Sequence, residues 1–261
     1  MKIVVPVKQV ANLDDDFELL DDDAGVDPDF IEWELNEWDA FSLEAALEMG
    51  EAAGDSEIVV VSVGGEEADE GLRTCLAKGA DRAVRVWDEA LRGADALAVA
   101  RVLAAVVEPE SPDVVLCGVQ SSDAVNGATG VALAAHLGLP HVAVVTALRV
   151  DDGSVTVDRE LEGGLVEVVR VGLPAVLTIQ TGINEPRYAT LRAIKQARDK
   201  PLDVLGLADI GLEEDAVTAA AGARVRRLGH HEKGEGAEML SGSPDEIAAR
   251  IAEIVKERIS G

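Results

Sequence analysis

The sequence predicts an α/β protein built on a doubly wound, mostly parallel sheet. The first observation is that short runs rich in Val and Ile alternate with longer runs whose apolar residues recur at helical spacing, as in repeated βαβ units. The second is that the strand runs are apolar throughout, as strands covered by helices on both faces must be. The third is that 261 residues, 48% apolar and only 3% aromatic, suffice for one large core of Val, Ala and Leu.

The elements of the first half follow from these patterns in chain order. Strands are expected at the Val and Ile runs of residues 3–7, 58–63, 83–86 and 114–118. Helices are expected between and after them at residues 40–53, 67–78, 94–107 and 128–137. Because parallel strands present their carboxyl ends at one edge of a sheet, the loops that begin at Pro6, Val63 and Gly118 should share a rim where a ligand binds.

After Pro140 the pattern changes to a period of two. The alternating segments are residues 147–150, 155–159 and 166–170. With an Asp-Asp-Gly turn after the first of them, they predict an antiparallel β-meander added to the sheet. A buried strand at 175–179 and a helix at 191–198, ended by Pro201, complete this region.

The chain is expected to divide into two parts. Residues 1–205 are expected to form the α/β domain, which includes the meander and the loop after residue 179, and residues 206–261 a C-terminal arm and helix, an arrangement suited to packing on another chain. The extended arm is predicted at 213–236 from its Ala, Gly and charged residues. The helix at 247–259 follows the capping sequence Ser-Gly-Ser-Pro-Asp-Glu.

The formal net charge is −27, from 50 acidic and 23 basic residues. This excess disfavours nucleic acid and anionic membranes as partners. Acidic residues occur in every segment, which indicates a solvated surface suited to a salt-rich cytoplasm, where screening weakens self-repulsion. An acidic docking face is the alternative. We therefore expect a halophilic source and folding that requires high salt.

Other functional classes find little support in the sequence. Cys75 and Cys117 lie in apolar runs without CxxC spacing, which favours reduced core thiols in an intracellular protein. The four histidines lack the spacing of metal ligands, and no nucleophile with an adjacent base stands out. No signal sequence or membrane-spanning run is visible. We expect a cytoplasmic protein with no metal site and no catalytic residue of its own.

The loop of residues 118–130 lies between a predicted strand and a predicted helix. Its backbone amides and hydroxyls suit a phosphate at the helix N-terminus, but it matches neither the dinucleotide fingerprint nor the P-loop, so an ordinary glycine-rich turn stays open. Asn36 is either the N-cap of the next helix or a ligand contact. Val63 precedes two glycines that permit either close approach to a base or a tight turn.

Several segments, in order along the chain, resemble one family. The most specific are LRTCLAKGADR at residues 72–82 and NEPRYATL at residues 184–191. Weaker matches are VKQV at 7–10, NEWD at 36–39 and the 118–130 loop. Over residues 1–205 the sequence is similar to the β subunits of electron transfer flavoproteins. The resemblance implies an adenine-nucleotide α-hydrolase-like fold and an electron carrier subunit, not an independent enzyme.

The resemblance also implies cofactors and a partner subunit. An α subunit holds most of the redox FAD, and this chain binds a structural AMP or, in electron-bifurcating relatives that oxidise NADH, a second FAD. The family's nucleotide contacts fall at Pro6, Asn36, Val63, Gln120, Asp123, Asn126, Gly127, Ala128 and Thr129. The hydroxyl of Thr129 suits AMP, and the Asp-Gly-Asp-Thr run of bifurcating members is absent, so AMP is expected.

The loop after residue 179 resembles the loop through which the family recognises its electron donors. The positions concerned are Ile183, Asn184, Glu185, Pro186, Arg187 and Tyr188. We expect Ile183 to be an exposed apolar anchor for acyl-CoA or related dehydrogenases, as in fatty-acid oxidation, with a membrane quinone oxidoreductase as electron acceptor. Internal packing of Ile183 is the alternative. A stand-alone nucleotide-binding module of the universal-stress type is a further alternative, against which this loop and the last helix argue.

Overall fold

A large, mostly parallel sheet lies at the centre of the chain. The computed structural model describes residues 1–13, 17–20, 25–229, 236–237 and 239–259. Their strands are β1 (Lys2–Pro6), β2 (Gln9–Leu13), β3 (Ile31–Leu35), β4 (Glu57–Val63), β5 (Arg82–Val86), β6 (Val114–Gly118), β7 (His141–Asp151), β8 (Ser154–Leu161), β9 (Leu165–Gly172), β10 (Ala175–Ile179) and β11 (Leu202–Leu205). Their α-helices are α1 (Glu37–Ala53), α2 (Ala68–Lys78), α3 (Ala96–Glu110), α4 (Thr129–Leu137), α5 (Leu191–Ala197), α6 (Glu214–Ala220) and α7 (Pro244–Ile259).

The strand order of the large sheet is β11-β5-β4-β1-β6-β10-β7-β8-β9. Neighbouring strands run parallel from β11 to β7, and β7, β8 and β9 form an antiparallel meander. Strands β2 and β3 pair separately as a short antiparallel ribbon. The predicted α/β class, with a mostly parallel sheet and an added meander, is confirmed.

Strand β1 shows why the parallel strands are apolar throughout. Ile3 and Val5 are fully buried in the core that contains residues of α1 and α2, whereas Val4 is fully buried in the core that contains residues of α3 and α4. Both faces of the strand therefore exclude water. Full burial of each such side chain stabilises the fold by roughly 1.5–3 kcal/mol relative to exposure, and a polar residue at any of these positions would lose that contribution.

The region after residue 200 differs from the expectation. The segment predicted as an extended arm contains α6, whose Val217 is 2% exposed and packs with the core on the α3 side. Strand β11, which the sequence pattern did not indicate, pairs in parallel with β5 at the edge of the sheet. As a result the first compact unit extends over Met1–Arg227, whereas the boundary expected from the sequence lies at 205/206.

The second compact unit spans Leu228–Gly261 and contains α7. The backbone N–H of Ser243 donates to Glu246 Oε2 at 2.8 Å, and the Ser243 hydroxyl lies 3.5 Å from the Glu246 backbone nitrogen. This reciprocal capping box confirms the predicted start of the helix within one turn. Residues 230–235 of the predicted arm lie outside the described residues. Among the residues that are described, none of the helices is long and apolar enough to cross a membrane.

Candidate functional site

A cleft of about 180 Å³ opens at the carboxyl ends of β1, β4 and β6. Its position follows from the topology, because loops at this edge of a doubly wound sheet diverge to either side and leave a crevice. Eight of the nine positions predicted to contact a nucleotide line it: Pro6, Asn36, Val63, Gln120, Asn126, Gly127, Ala128 and Thr129. The ninth, Asp123, lies beside the cleft and contacts its lining residue Lys8.

The first turn of α4 forms one wall of the cleft. The chain enters it through Val125 and Gly127, both in the left-handed region with φ of 50° and 59°, and Ala128, before the helix, provides no side-chain cap. Gly130 packs directly on the sheet, since a Cβ there would lie 2.6 Å from Thr178 Cγ2. A helix start without a side-chain cap leaves backbone N–H groups for an anionic ligand.

Asn36 ties the 118–130 loop to the start of α1. Its side chain is 1% exposed; Nδ2 donates to the Gln120 carbonyl at 2.9 Å, and Oδ1 accepts from the Ser122 backbone N–H at 3.1 Å. Its side chain makes no capping bond to a backbone N–H of the first turn of α1, so the capping alternative is not realised. Asn36 instead holds the loop that lines the cleft.

Lys8 brings a positive charge to the cleft, and the sequence reasoning did not single it out. Its Nζ lies 2.6 Å from Asp123 Oδ1 and 3.3 Å from Ser121 Oγ. Burial opposes ionisation of Asp123, but the hydrogen bonds from Lys8 and Ser121 outweigh it, and the pKa of Asp123 falls below its usual value. The ion pair thus joins the β1–β2 connection to the 118–130 loop.

Asp39 is a second lining residue that the sequence reasoning missed. Its carboxylate is 6% exposed and accepts backbone N–H bonds from Lys8 at 2.7 Å and from Gly118 at 3.2 Å. Burial raises the pKa of Asp39 to about 7, against the opposing effect of these bonds and of Asn36. A side chain at Gly118 would collide with Asp39 and with Trp38. Asp39 therefore fixes two loops at the floor of the cleft.

Asp95 lines the opposite wall and caps α3. One oxygen accepts from the Leu97 and Ala98 N–H groups at 3.2 and 2.9 Å, and the other accepts from Gly222 and Ala223 at 2.8 and 2.7 Å. Burial opposes ionisation, but these four backbone donors lower the pKa of Asp95. The cap thus anchors the segment after α6 at the rim.

The loop of residues 180–190 lies against α1. Asn184 Nδ2 donates to the Phe41 carbonyl at 3.1 Å. The Arg187 backbone N–H donates to Glu44 Oε2 at 2.9 Å, and its guanidinium pairs with Glu44 at 2.8 Å and with Glu51 at 2.6 Å. Of the residues predicted for partner recognition, Asn184 and Arg187 are therefore turned towards the protein.

Other residues of this region face solvent. Tyr188 is 96% exposed and Leu191, which begins α5, is 82% exposed. Glu185 is exposed and Pro186 is half-buried. Ile183, expected as an exposed anchor, is half-buried and packs against the core below α1 and α2. Tyr188 and Leu191 are therefore the most exposed large side chains of this region, and Ile194, one turn further along α5, is also exposed.

The described residues offer no metal centre and no activated thiol. Among them no group of three or more His, Cys, Asp or Glu side chains is placed to hold a metal ion, and His230 and His231 lie outside them. Cys117 lines the cleft, but burial raises the pKa of its thiol. Burial likewise raises the pKa of Cys75 to about 12. Both thiols are therefore protonated and poor nucleophiles at neutral pH.

The sheet, the strand-end cleft and the helix N-terminus that lines it define a doubly wound α/β protein with a crevice at the edge where ligands of this fold class bind. Family comparison gives a match to the electron transfer flavoprotein domain over residues 27–210. The chain belongs to the family of electron transfer flavoprotein β subunits, as the sequence motifs predicted.

Similarity to curated relatives extends along nearly the whole chain. The chain is 52% identical over 261 residues to the electron transfer flavoprotein subunit beta of Methylophilus methylotrophus, with 98% of each covered. It is 37% identical over 216 residues to that of Bradyrhizobium diazoefficiens, covering 83% of this chain and 86% of the relative. It is 34% identical over 265 residues to that of Syntrophomonas wolfei, covering 99% and 97%.

Proposed function

We propose that the chain is the β subunit of a cytoplasmic, heterodimeric electron transfer flavoprotein and binds AMP in its strand-end cleft. The observation that carries the nucleotide proposal is that eight residues, predicted from four separate segments, line this one cleft. The redox FAD belongs mainly to the α subunit and supplies the electron-carrying chemistry. The role of this chain is binding and positioning, and no residue of it is assigned a catalytic step.

The residues of the chain favour AMP over a second FAD. The cleft, of about 180 Å³, carries the Thr129 hydroxyl, and the Asp-Gly-Asp-Thr run expected of bifurcating members is absent from the sequence. The first turn of α4 and the Thr129 hydroxyl suit a terminal phosphate. Lys8 adds a positive charge, although its pairing with Asp123 reduces what it offers to the ligand.

The identity of the nucleotide is tested by release from the denatured protein. The heterodimer is purified and denatured, and the released compounds are separated by chromatography and identified by mass. One AMP and one FAD per heterodimer support the proposal, whereas two FAD and no AMP favour the bifurcating type that oxidises NADH. Absence of any copurifying α subunit would favour a stand-alone nucleotide-binding module.

A matched pair of threonine variants tests the placement of the phosphate. Thr129→Val keeps the shape of the side chain and removes the hydroxyl, whereas Thr218→Val makes the same change at an exposed position of α6 outside the cleft. We expect a lower AMP content in the first and a wild-type content in the second. Equal AMP content in both variants would remove Thr129 from the proposed site.

We further propose that the 180–190 region receives electrons from an acyl-CoA or related dehydrogenase and that a membrane quinone oxidoreductase accepts them. Exposed apolar groups on a fixed backbone suit insertion into a partner's pocket. Ile183→Ala tests the anchor predicted from the sequence, and Leu191→Ala tests the residue that is 82% exposed. A variant that raises the KM for the dehydrogenase, with unchanged AMP content and heterodimer stability, identifies the anchor. Unchanged kinetics in both variants would argue against docking here.

A further inference from the structure

Polar side chains hold both ends of the 180–190 loop on α1. At the start, Trp38 Nε1 donates to Gln180 Oε1 at 2.9 Å, and the same oxygen accepts the Thr181 backbone N–H at 3.0 Å. At the end, Arg187 binds Glu44. The loop is therefore supported along one helix from Trp38 to Glu44, a span of a little under two turns.

Glu44 is the central contact of this support. It is 5% exposed, and burial of an isolated carboxylate is costly. Arg187 compensates with its backbone N–H at 2.9 Å, Nε at 2.9 Å and Nη2 at 2.8 Å. Because main chain and guanidinium of one residue converge on one carboxylate, the pair fixes both the position and the direction of the backbone at Arg187.

The consequence appears at the next residue. Tyr188 follows Arg187 directly and is 96% exposed, and Leu191 is 82% exposed three residues later. Apolar groups that project from an already ordered backbone lose less conformational entropy on binding than groups on a mobile loop. Glu44 itself lines neither the cleft nor the exposed surface. The contacts of Glu44 with Arg187 therefore orient the segment that carries Tyr188 and Leu191.

We infer that Glu44 is a positioning residue for partner docking: by fixing Arg187 it presents Tyr188 and Leu191 to the electron-donating dehydrogenase. The inference rests on the proposed function for the identity of the partner. Arg187, predicted from the sequence as a recognition residue, acts by holding the loop on α1 and not by direct contact with the dehydrogenase.

The test compares heterodimers that carry Glu44→Gln or Arg187→Lys with the wild type. Glu44→Gln removes the charge, and Arg187→Lys keeps the charge but lacks the planar fork. The matched control is Glu57→Gln, because Glu57 also pairs with an arginine, Arg82, at 2.9 Å but lies on β4 and, among the described residues, makes no hydrogen bond or ion pair with the 180–190 loop. AMP content and heterodimer melting temperature are measured for each protein, so that general loss of structure is recognised.

The first readout is steady-state reduction of the heterodimer by a purified acyl-CoA dehydrogenase with its acyl-CoA. We expect the KM for the dehydrogenase to rise about tenfold in Glu44→Gln, since loss of a hydrogen bond to a charged group has this order of effect. kcat should stay within about twofold of the wild type, and Arg187→Lys should show a smaller rise in KM. An unchanged KM, or a fall in kcat alone, would overturn the inference.

The second readout is hydrogen–deuterium exchange of the backbone amide of residue 187, which donates to Glu44 Oε2 at 2.9 Å, and this measurement needs no dehydrogenase. We expect about tenfold faster exchange in Glu44→Gln than in the Glu57→Gln control. Equal exchange in both would overturn the inference even if the proposed function holds. Conversely, faster exchange in a heterodimer that the dehydrogenase does not reduce would support the positioning of the loop and refute the proposed donor. Arg187→Lys gives the same two readouts if Glu44→Gln does not fold.

Discussion

Protonation of Asp39 should make the stability of this protein depend on pH near neutrality. The pKa of Asp39 is raised from its ordinary value of 3.8 to about 7 because the carboxyl group is buried. Between these values the native state binds a proton that the unfolded state has released, so the free energy of unfolding falls as pH rises from about 4 to 7. Above pH 7 this contribution is constant.

The size of the effect follows from the displacement of the pKa. A change from 3.8 to about 7 corresponds to at most about 4 kcal/mol, at 1.36 kcal/mol for each unit. For a protein of this size, that is a change of up to about 10 °C in melting temperature. Most carboxylates titrate below this range, and paired ones such as Asp123 lose their contribution only at still lower pH, since the pKa of Asp123 is lowered.

The assay is thermal unfolding of wild type and Asp39→Asn between pH 5 and 8 at constant salt. Asn cannot accept from both Lys8 and Gly118, so the variant should be less stable by about 1–3 kcal/mol at pH 5. The difference in free energy of unfolding between the variant and the wild type should shrink as pH rises, because only the wild type carries the ionising carboxyl group at position 39. Asp123→Asn is the control, and its free energy of unfolding should change with pH between 5 and 8 as that of the wild type does. Parallel curves for wild type and Asp39→Asn would refute the reasoning.

Three further changes test the cleft and the surface. Gly118→Ala places a Cβ against Asp39 and Trp38 and should lower the free energy of unfolding by about 1–3 kcal/mol, measured as a lower urea midpoint. An unchanged midpoint would show that Asp39 and Trp38 can move aside without loss of stability. Asn36→Ala leaves the Gln120 carbonyl and a backbone N–H without their partner and should cost about 1–3 kcal/mol with reduced AMP content, whereas full AMP content would show the loop to be self-supporting. Molar KCl should raise the melting temperature through screening of the −27 net charge, and equal melting temperatures at low and molar KCl would contradict the expectation that folding requires high salt.

The sequence indicated the centre of the fold because its local signals agree with the tertiary structure. Strands β1, β4 and β6 are apolar on both faces, and few other elements give that pattern. Strand β11 and helix α6 were missed for the opposite reason. The four residues of β11 alternate too briefly to show a period, and α6 is stabilised by burial of Val217 and not by a strong helical pattern.

In the cleft, too, local sequence signals located some residues, whereas others are recognised only by contacts that form in the folded chain. The strand-end rule located its rim, but Lys8, Asp39 and Asp95 were not identified. Their contacts join residues far apart in sequence: 79 positions separate Asp39 from Gly118, and 115 separate Lys8 from Asp123. A lone acidic residue near a helix start looks like a cap or a solvated charge. Only the folded chain shows that Asp39 accepts bonds from two strand-end loops.

Helix α1 supports both candidate sites, and this determines which variants can separate them. Asn36 and Asp39, three residues apart, share the side of the helix that holds the cleft loops, whereas Trp38 and Glu44 bond to the 180–190 loop from other directions around the same axis. Beneath them Leu43 is fully buried in the core. A core change such as Leu43→Ala would displace the helix as a unit and alter nucleotide content and donor kinetics together. Separate effects are therefore expected from the polar side chains, each of which bonds to one site: loss of Asn36 should lower AMP content first, and loss of Glu44 should raise the KM for the donor first.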